Sequence, residues 1–574
     1  MLPIKRIRHQ LTICRFLFGA ILLSASLQAS GASYAKGYKN VTNSNPISVS
    51  VFCADPTALV YKGRLYIYGT NDHQEFIANG KKGKNSYNKI KSLVVFSTDD
   101  MVNWTFHGTI DVKKVCSWCG NSWAPSAVWR TNAETGEDEF FIYFANGGSN
   151  VGVLKSTVSP VGPFISPNSQ AMVRHGMPGV DPCTALFDPG AVIDENGTGW
   201  ITVGGYSPNA QGSKLQPNNV SIIKLKPSMT EIDGTAVKIP APYHFEANEL
   251  NVIGGKYVFT YCSHWDRDPT EWNTYKSEHN INANMPDLGT MCYMVSDTPM
   301  DPDSWEFKGY YGPGVQGNNH SHLQKFQDNY YHIYHNHGSV LLDAMKSGGD
   351  VDVSADDYRS ICINEAIVDE STATIKPVTL SLSGVKSIKN LNPYQLQQAE
   401  TMATSGGIMY ENFKNITKVT SINTLGNDAS ENLYINISKG DWTMVRDVDF
   451  GEDGAKAFIL RAKGAGKLEI RLNKINADAA ATIAFTSDDF TEHHIAVDQT
   501  LFNGVQKVFF VFTDSYKVQF DAWRFSQDEA DNIKYMKAVP QKKKSSGIYD
   551  LSGHRIQQQQ GRGVYIQNGK KYVK

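Results

Sequence analysis

Five times between residues 50 and 345 the chain sets a polar or ionisable residue ahead of a short strand, a turn, and a second strand rich in Tyr, Phe, Ile and Val. The first copy is Ala54-Asp55-Pro56 leading into residues 57–61, the turn Lys62-Gly63, and residues 64–69. The second runs from Trp123-Ala124-Pro125 through Val128-Trp129 to residues 140–144. The third runs from Phe187-Asp188-Pro189 through Glu195-Asn196-Gly197 to residues 200–203. Phe245-Glu246-Ala247, Gly254-Gly255 and residues 257–261 make the fourth; Asn319-His320-Ser321-His322, Asp328-Asn329 and residues 330–334 make the fifth. Apolar third strands follow at 92–97, 152–154 and 291–295. A unit that cannot bury its apolar face alone must stack on its neighbours, so a period of roughly sixty residues predicts an all-β chain opening with a five-bladed β-propeller over residues 45–380.

In a propeller the innermost strands converge on one axis, and equivalent positions of the repeats face one pocket. Asp55, Trp123, Asp188, Glu246 and His320 are therefore expected to meet, although they are spread along much of the chain. Three carboxylates in one pocket suit hydrolysis of a glycosidic bond. One must be protonated to deliver its proton to the leaving oxygen, one must be ionised to act on water or carbon, and a third can raise the pKa of the acid by like-charge repulsion. The 55 Lys and Arg residues nearly balance the 57 Asp and Glu residues, a formal net charge of −2. Nothing in that balance favours nucleic acid or an anionic membrane, and a neutral carbohydrate partner fits better.

These motifs, in this order, resemble glycoside hydrolase family 43 over residues 45–380. The resemblance is carried by Ala54-Asp55-Pro56, Trp123-Ala124-Pro125, Asp188-Pro189-Gly190-Ala191-Val192-Ile193-Asp194, Phe245-Glu246-Ala247 and Gly317-Asn318-Asn319-His320. It implies an inverting glycosidase with Asp55 as general base, Glu246 as general acid and Asp188 as the residue that orients the acid and tunes its pKa. Inversion would set the Asp55 and Glu246 carboxyls roughly 6.5–9.5 Å apart. No cofactor is implied for the chemistry. His320 resembles the family's axial histidine, which contacts a calcium ion, although Ser321 stands here where a second His is usual. Arg359 resembles an arginine of the last blade beside the pocket, and Trp123 and Phe245 are candidate walls for a sugar ring. The implied substrate is arabinoxylan-type hemicellulose, with release of L-arabinofuranose or D-xylose; endo-action on arabinan or xylan and a non-catalytic carbohydrate-binding propeller are the alternatives.

After a linker-like stretch at 383–393, strand-like runs at 444–450, 457–462, 468–472, 482–485, 507–512 and 518–525 predict an antiparallel β-sandwich (jelly-roll) over 394–527. Gln398-Ala399-Glu400, Gly440-Asp441-Trp442 and Phe520-Asp521-Ala522-Trp523 resemble a carbohydrate-binding module of family 6. That resemblance implies a structural calcium near Glu400 and Asp521. Tyr434 matches an aromatic position of the family's sugar cleft, but Gln519 and Glu492-His493-His494 stand where an Asn and a Trp are usual. Both sugar binding and a structural role are therefore open.

The ends of the chain carry address signals. A basic stretch, an apolar run at 16–27 and small residues read as a signal peptide over 1–35; the run is short for a membrane span. Residues 545–574 resemble the sorting tails of secreted Bacteroidetes proteins. A secreted or cell-surface location is expected, with the periplasm as an alternative. Seven cysteines remain beyond the signal segment, an odd number. Cys116 and Cys119 lack the further ligands of a zinc site and read as a local disulfide or two plain thiols.

Overall fold

The computed structural model describes residues 34–180, 184–207, 213–315, 317–337, 358–415 and 433–529, with short strands at 548–549, 555–556, 564–567 and 570–573. The expected signal segment up to residue 33 and Cys183 lie outside the described residues.

Each repeat is one antiparallel blade. Blade 1 is β1 (Ala54–Tyr61), β2 (Arg64–Thr70), β3 (Leu93–Thr98) and β4 (Trp104–Ile110). Blade 2 is β5 (Trp123–Thr131), β6 (Asp138–Ala145), β7 (Asn150–Ser156) and β8 (Val173–Arg174). Blade 3 is β9 (Gly190–Ile193), β10 (Gly199–Val203), β11 (Ser221–Leu225) and β12 (Ile232–Lys238). Blade 4 is β13 (His244–Ile253), β14 (Lys256–Ser263), β15 (Met291–Ser296) and β16 (Glu306–Gly312). Blade 5 has β17 (Ser321–Phe326), β18 (Asn329–Asn336) and β19 (Ser360–Ala366). The chain ahead of β1 runs along this last blade. Ile47 N–H donates to the Ile361 carbonyl at 2.9 Å and Cys53 N–H to that of Arg359 at 2.9 Å, closing the ring.

Middle strands such as β3 and β15 are buried on both faces because every blade is sandwiched between two others, so their sequences are continuous apolar runs. The cores lie between blades. Tyr68 and Val95 pack with Phe140 and Ile142 between blades 1 and 2; Phe141 and Tyr143 pack with Ile201 and Val203 between blades 2 and 3. Ile222 meets Phe259 and Tyr261, and Val258 and Tyr293 meet Leu323 and Ala366. At the axis the inner strands approach closely. A Cβ on Gly190 would stand 2.6 Å from Glu249 Cα, so only glycine fits there.

The second domain is less separate than a linker predicts. Thr401–Met402 pairs with Trp104 and Thr105 and forms a fifth strand of blade 1. One apolar core joins Phe96, Phe106 and Ile363 of the propeller to Phe413, Ile435, Phe458, Phe510 and Phe520 of the sandwich. Near its start the chain also ties down the sandwich, since Trp442 Nε1 donates to the Ala35 carbonyl at 2.9 Å. Instead of several short runs, the sandwich is built on three long strands, Ala457–Leu472, Ala479–Ala496 and Val505–Ser526. The polar interruptions at 463–467 and 513–517 are bulges at which the pairing shifts register without ending. The six cysteines among the described residues are free thiols, including Cys116 and Cys119.

Candidate active site

The mouth of the propeller is shaped by a repeated backbone feature. Asp55 and Asp188 both have φ +47°, and Ala124 and Ala247, one residue after Trp123 and Glu246, have φ +36° and +63°. At Asp55, Trp123 and Glu246 the pairing of the inner strand shifts register. An αL residue without glycine costs of order 1–3 kcal/mol and persists only where its surroundings impose it. Here the kink re-aims the leading side chain from the blade face to the axis.

The result is a cavity of about 240 Å³ lined by Asp55, Asp188, Glu246, Trp123, His320 and Arg359, together with Tyr87, Phe187, Asn318 and Asn319. Arg359, 2% exposed, is the electrostatic anchor. Its Nη1 donates to Asp55 Oδ1 at 2.7 Å, while Nε and Nη2 donate to the two carboxylate oxygens of Asp72 at 2.8 and 2.9 Å. The backbone N–H of Asp55 donates to His335 Nδ1 at 3.1 Å, and the other ring nitrogen faces Asn318 Oδ1 at 3.1 Å. Burial opposes charge on Asp55, but the Arg359 guanidinium and the His335 and His320 rings outweigh it and hold the carboxyl well below the usual carboxylate range.

The other two carboxyls are biased the opposite way. Burial foremost, then the negative charge of Asp55, pushes Glu246 up to about 8. Burial and the charges of Glu246 and Asp55 likewise raise Asp188. Asp188 is held by blade 4: its Oδ2 accepts from Ala247 N–H at 2.8 Å, and its carbonyl accepts from Asn248 Nδ2 at 2.8 Å. The site thus holds an ionised group and a protonated group in one cavity at neutral pH, as general acid–base chemistry requires.

Phe245 is the one expected pocket residue that the fold sends elsewhere. It stacks on Tyr206 at 5.5 Å and packs against His264 rather than lining the cavity, where Phe187 stands instead. Tyr206 holds it there, its N–H donating to the Phe245 carbonyl at 2.7 Å beneath the stacked rings. Asp72 and Tyr87 escaped the sequence reading because they lie in the insertion between β2 and β3, outside the repeat. The insertion holds α1 (Asp72–Asn79) and a loop anchored on fully buried Glu75, which accepts from Lys89 N–H, Ser86 N–H and Asn79 Nδ2. Tyr87 lies at the tip, its ring 5.3 Å from the Arg359 guanidinium and its carbonyl accepting from Trp123 Nε1 at 2.9 Å. Asn318 sits inside the motif that ends at His320 and was legible there.

His320 Nδ1 lies 3.8 Å from both Asp55 Oδ1 and Asp188 Oδ2. Among the described residues no group of three or more His, Cys, Asp or Glu side chains is arranged around a metal position. A single imidazole holds calcium there only where water or other oxygen donors complete the oxygen-rich shell the ion prefers. Glu400 and Asp521, by contrast, are oxygen donors buried at 0% and 1% exposure. Antiparallel pairing of Gln397–Gln398 with Ala522 and Trp523 leads into Ala399, whose N–H donates to the Asp521 carbonyl at 2.9 Å one residue before Glu400, and Arg461 pairs with Asp521.

Residues 43–348 match the model of glycosyl hydrolases family 43, and residues 398–527 match the carbohydrate binding module (family 6). An arabinoxylan arabinofuranohydrolase of Bacillus subtilis (strain 168) is 34% identical over 553 residues, covering 91% of this chain and 100% of its own length. Another from Paenibacillus polymyxa is 33% identical, over 88% of this chain and 78% of its own. The crystal structure of a family 43 arabinoxylan arabinofuranohydrolase from Bacillus subtilis in complex with cellotetraose superposes with a TM-score of 0.73 at 32% identity, over 87% of this chain and 99% of that one. With a family model spanning more than half of its residues and relatives aligned along nearly all of them, the chain belongs to glycosyl hydrolases family 43 and is a glycosidase.

Proposed function

We propose that the enzyme removes L-arabinofuranosyl side groups from arabinoxylan-type hemicellulose by inverting hydrolysis. The observation that carries this reading is the opposite bias of two carboxyls in one cavity, Asp55 kept ionised by Arg359 and Glu246 kept protonated by burial. Glu246 gives its proton to the glycosidic oxygen as the bond to the anomeric carbon breaks. Water attacks that carbon from the opposite face and passes a proton to Asp55; Asp188, accepting from the Ala247 N–H beside the acid, orients Glu246. Trp123, Tyr87 and Phe187 offer aromatic faces to the sugar. The described residues line a cavity of about 240 Å³ that is open on one side, room for a sugar ring. Both relatives that align along most of the chain are named for arabinose removal from arabinoxylan.

The test is hydrolysis of nitrophenyl α-L-arabinofuranoside, nitrophenyl β-D-xyloside and wheat arabinoxylan, with proton NMR of the first sugar released. Free arabinose of inverted configuration is expected. Xylose as the main product would make the enzyme a xylosidase, oligosaccharides would make it endo-acting, and retention would remove water activation from Asp55. Release of no sugar would favour a binding-only propeller.

Calcium belongs to the sandwich in this reading. Glu400 and Asp521 would hold it and it would supply counter-charge to buried carboxylates, with no part in hydrolysis. No helix among the described residues is long and apolar enough to cross a membrane. Export, by the basic and apolar leader and the C-terminal tail, places the enzyme where polymeric substrate is found. The tail's Val564–Gln567 and Lys570–Val573 pair as a hairpin, in keeping with a small β-rich appendage.

A further inference from the structure

The sandwich touches the propeller at a place that bears on the chemistry. Tyr410, in the short turn Tyr410–Asn412 of the sandwich, stacks on His73 of α1, with ring centroids 5.0 Å apart and planes 28° apart. Its hydroxyl faces Asn71 and Thr109, and Glu411 Oε1 lies 3.6 Å from His73 Nε2. His73 is fully buried; its Nδ1 accepts from Phe52 N–H at 3.3 Å, and its ring stacks on Phe52. Tyr410 therefore grips the residues on both sides of Asp72, Asn71 before it and His73 after it. Asp72 holds Arg359 through both carboxylate oxygens and accepts from its backbone N–H at 3.0 Å. Arg359 in turn is the cation that keeps Asp55 ionised.

We propose that Tyr410 is a positioning residue for the general base: through α1 the sandwich domain fixes Asp72, hence the Arg359–Asp55 ion pair, and so forms part of the catalytic apparatus. The physical case rests on sensitivity. A bidentate Arg–carboxylate pair depends on planar alignment, and a displacement of about 1 Å at a catalytic group can cost on the order of a hundredfold in rate. α1 has 8 residues, too few to be stable by itself, so what packs on it sets its position: Phe52 and Tyr358 of the propeller on Phe76, and Tyr410 of the sandwich on His73. The proposal rests on the reading of Asp55 as base.

Tyr410→Leu tests it on nitrophenyl α-L-arabinofuranoside, a substrate too small to reach the sandwich. The expected result is a fall in kcat of roughly two- to thirtyfold, the range for coupling through intermediate residues, with KM little changed. The acid limb of the pH–kcat profile should also move to higher pH, because Asp55 loses part of the hold of Arg359. Tyr410→Phe, which restores the ring on His73, should recover most of both. Arg446→Met is the control: Arg446 ties the sandwich to the propeller elsewhere, its Nη1 donating to the Thr42 carbonyl and to Ser44 Oγ at 3.2 Å. An unchanged kcat and acid limb in Tyr410→Leu would overturn the proposal, as would an equal shift in Arg446→Met. Should the leucine variant not fold, Tyr410→Met is read in the same way. Asp55→Asn separates the two ideas, since retained turnover there removes the base assignment itself, whereas its loss beside a silent Tyr410→Leu removes only the positioning role.

Discussion

The axis of the propeller and the centre of the sandwich are both lined by buried side chains, yet they are filled in opposite ways. Around the axis Asp55, Asp188, Glu249, His320, His322 and Arg359 are all buried, and below the pocket His322 Nδ1 lies 3.2 Å from Glu249 Oε1. In the sandwich Phe458, Phe510, Phe520, Trp523 and Phe525 fill the space. Burying charge opposes stability unless it is paired, whereas burying aromatic surface supports it by roughly 25 cal/mol per Å². The propeller gives up stability at its axis for chemistry, and the shared core through Phe106 and Phe413 lets the sandwich restore some of it.

The largest effect that would sharpen this contrast is on turnover. Glu246→Gln and Asp55→Asn are each expected to lower kcat on arabinoxylan by about 10²–10⁴-fold, the usual worth of a positioned acid or base. Substrate affinity should remain, and an unchanged rate would empty the axis of its assigned role. In the sandwich the same kind of experiment should act on stability. Phe510→Ala removes a ring packed on Trp523 at 4.8 Å and Phe458 at 5.8 Å, and should cost about 3–5 kcal/mol in denaturant unfolding. Because the core is continuous, propeller and sandwich should unfold in one transition; two separate transitions would break the comparison.

A smaller effect comes from pH. Glu246 has a folded-state pKa raised to about 8, so the native state binds its proton more tightly than the unfolded chain does. That contribution to stability is present below the ordinary glutamate pKa and is lost as pH rises through about 8. Glu246→Gln should therefore raise Tm relative to the parent at pH 9 more than at pH 5, and an equal change at both would argue against a buried protonated acid. The smallest expected effect is that of chelation. EDTA should lower Tm by a few degrees through Glu400 and Asp521 while kcat on a nitrophenyl glycoside stays constant; loss of kcat instead would put the ion at the axis.

How much of this was legible follows from where information sits along the chain. Asp55, Asp188 and Glu246 each open a repeat, and a repeat states its own symmetry, so the meeting of three distant carboxyls at one cavity could be read from spacing. Phe245 shows the limit of that reading, because its ring is taken up by Tyr206 and His264, contacts that the spacing of repeats does not state. The long strand Val505–Ser526 shows another, because its polar middle looks like a turn in sequence but continues the ladder as a bulge.

By itself the sequence determined the blades, their order and the acidic residues at their entries, because alternation and turn chemistry are local and each repeat confirms the next. Only the tertiary structure decided which carboxyl keeps its proton. That depends on Arg359 reaching Asp55 from the last blade and Asp72 reaching Arg359 from an insertion in the first, under a tyrosine from another domain. Electrostatic bias is set by distance and burial, and neither is written in residue order.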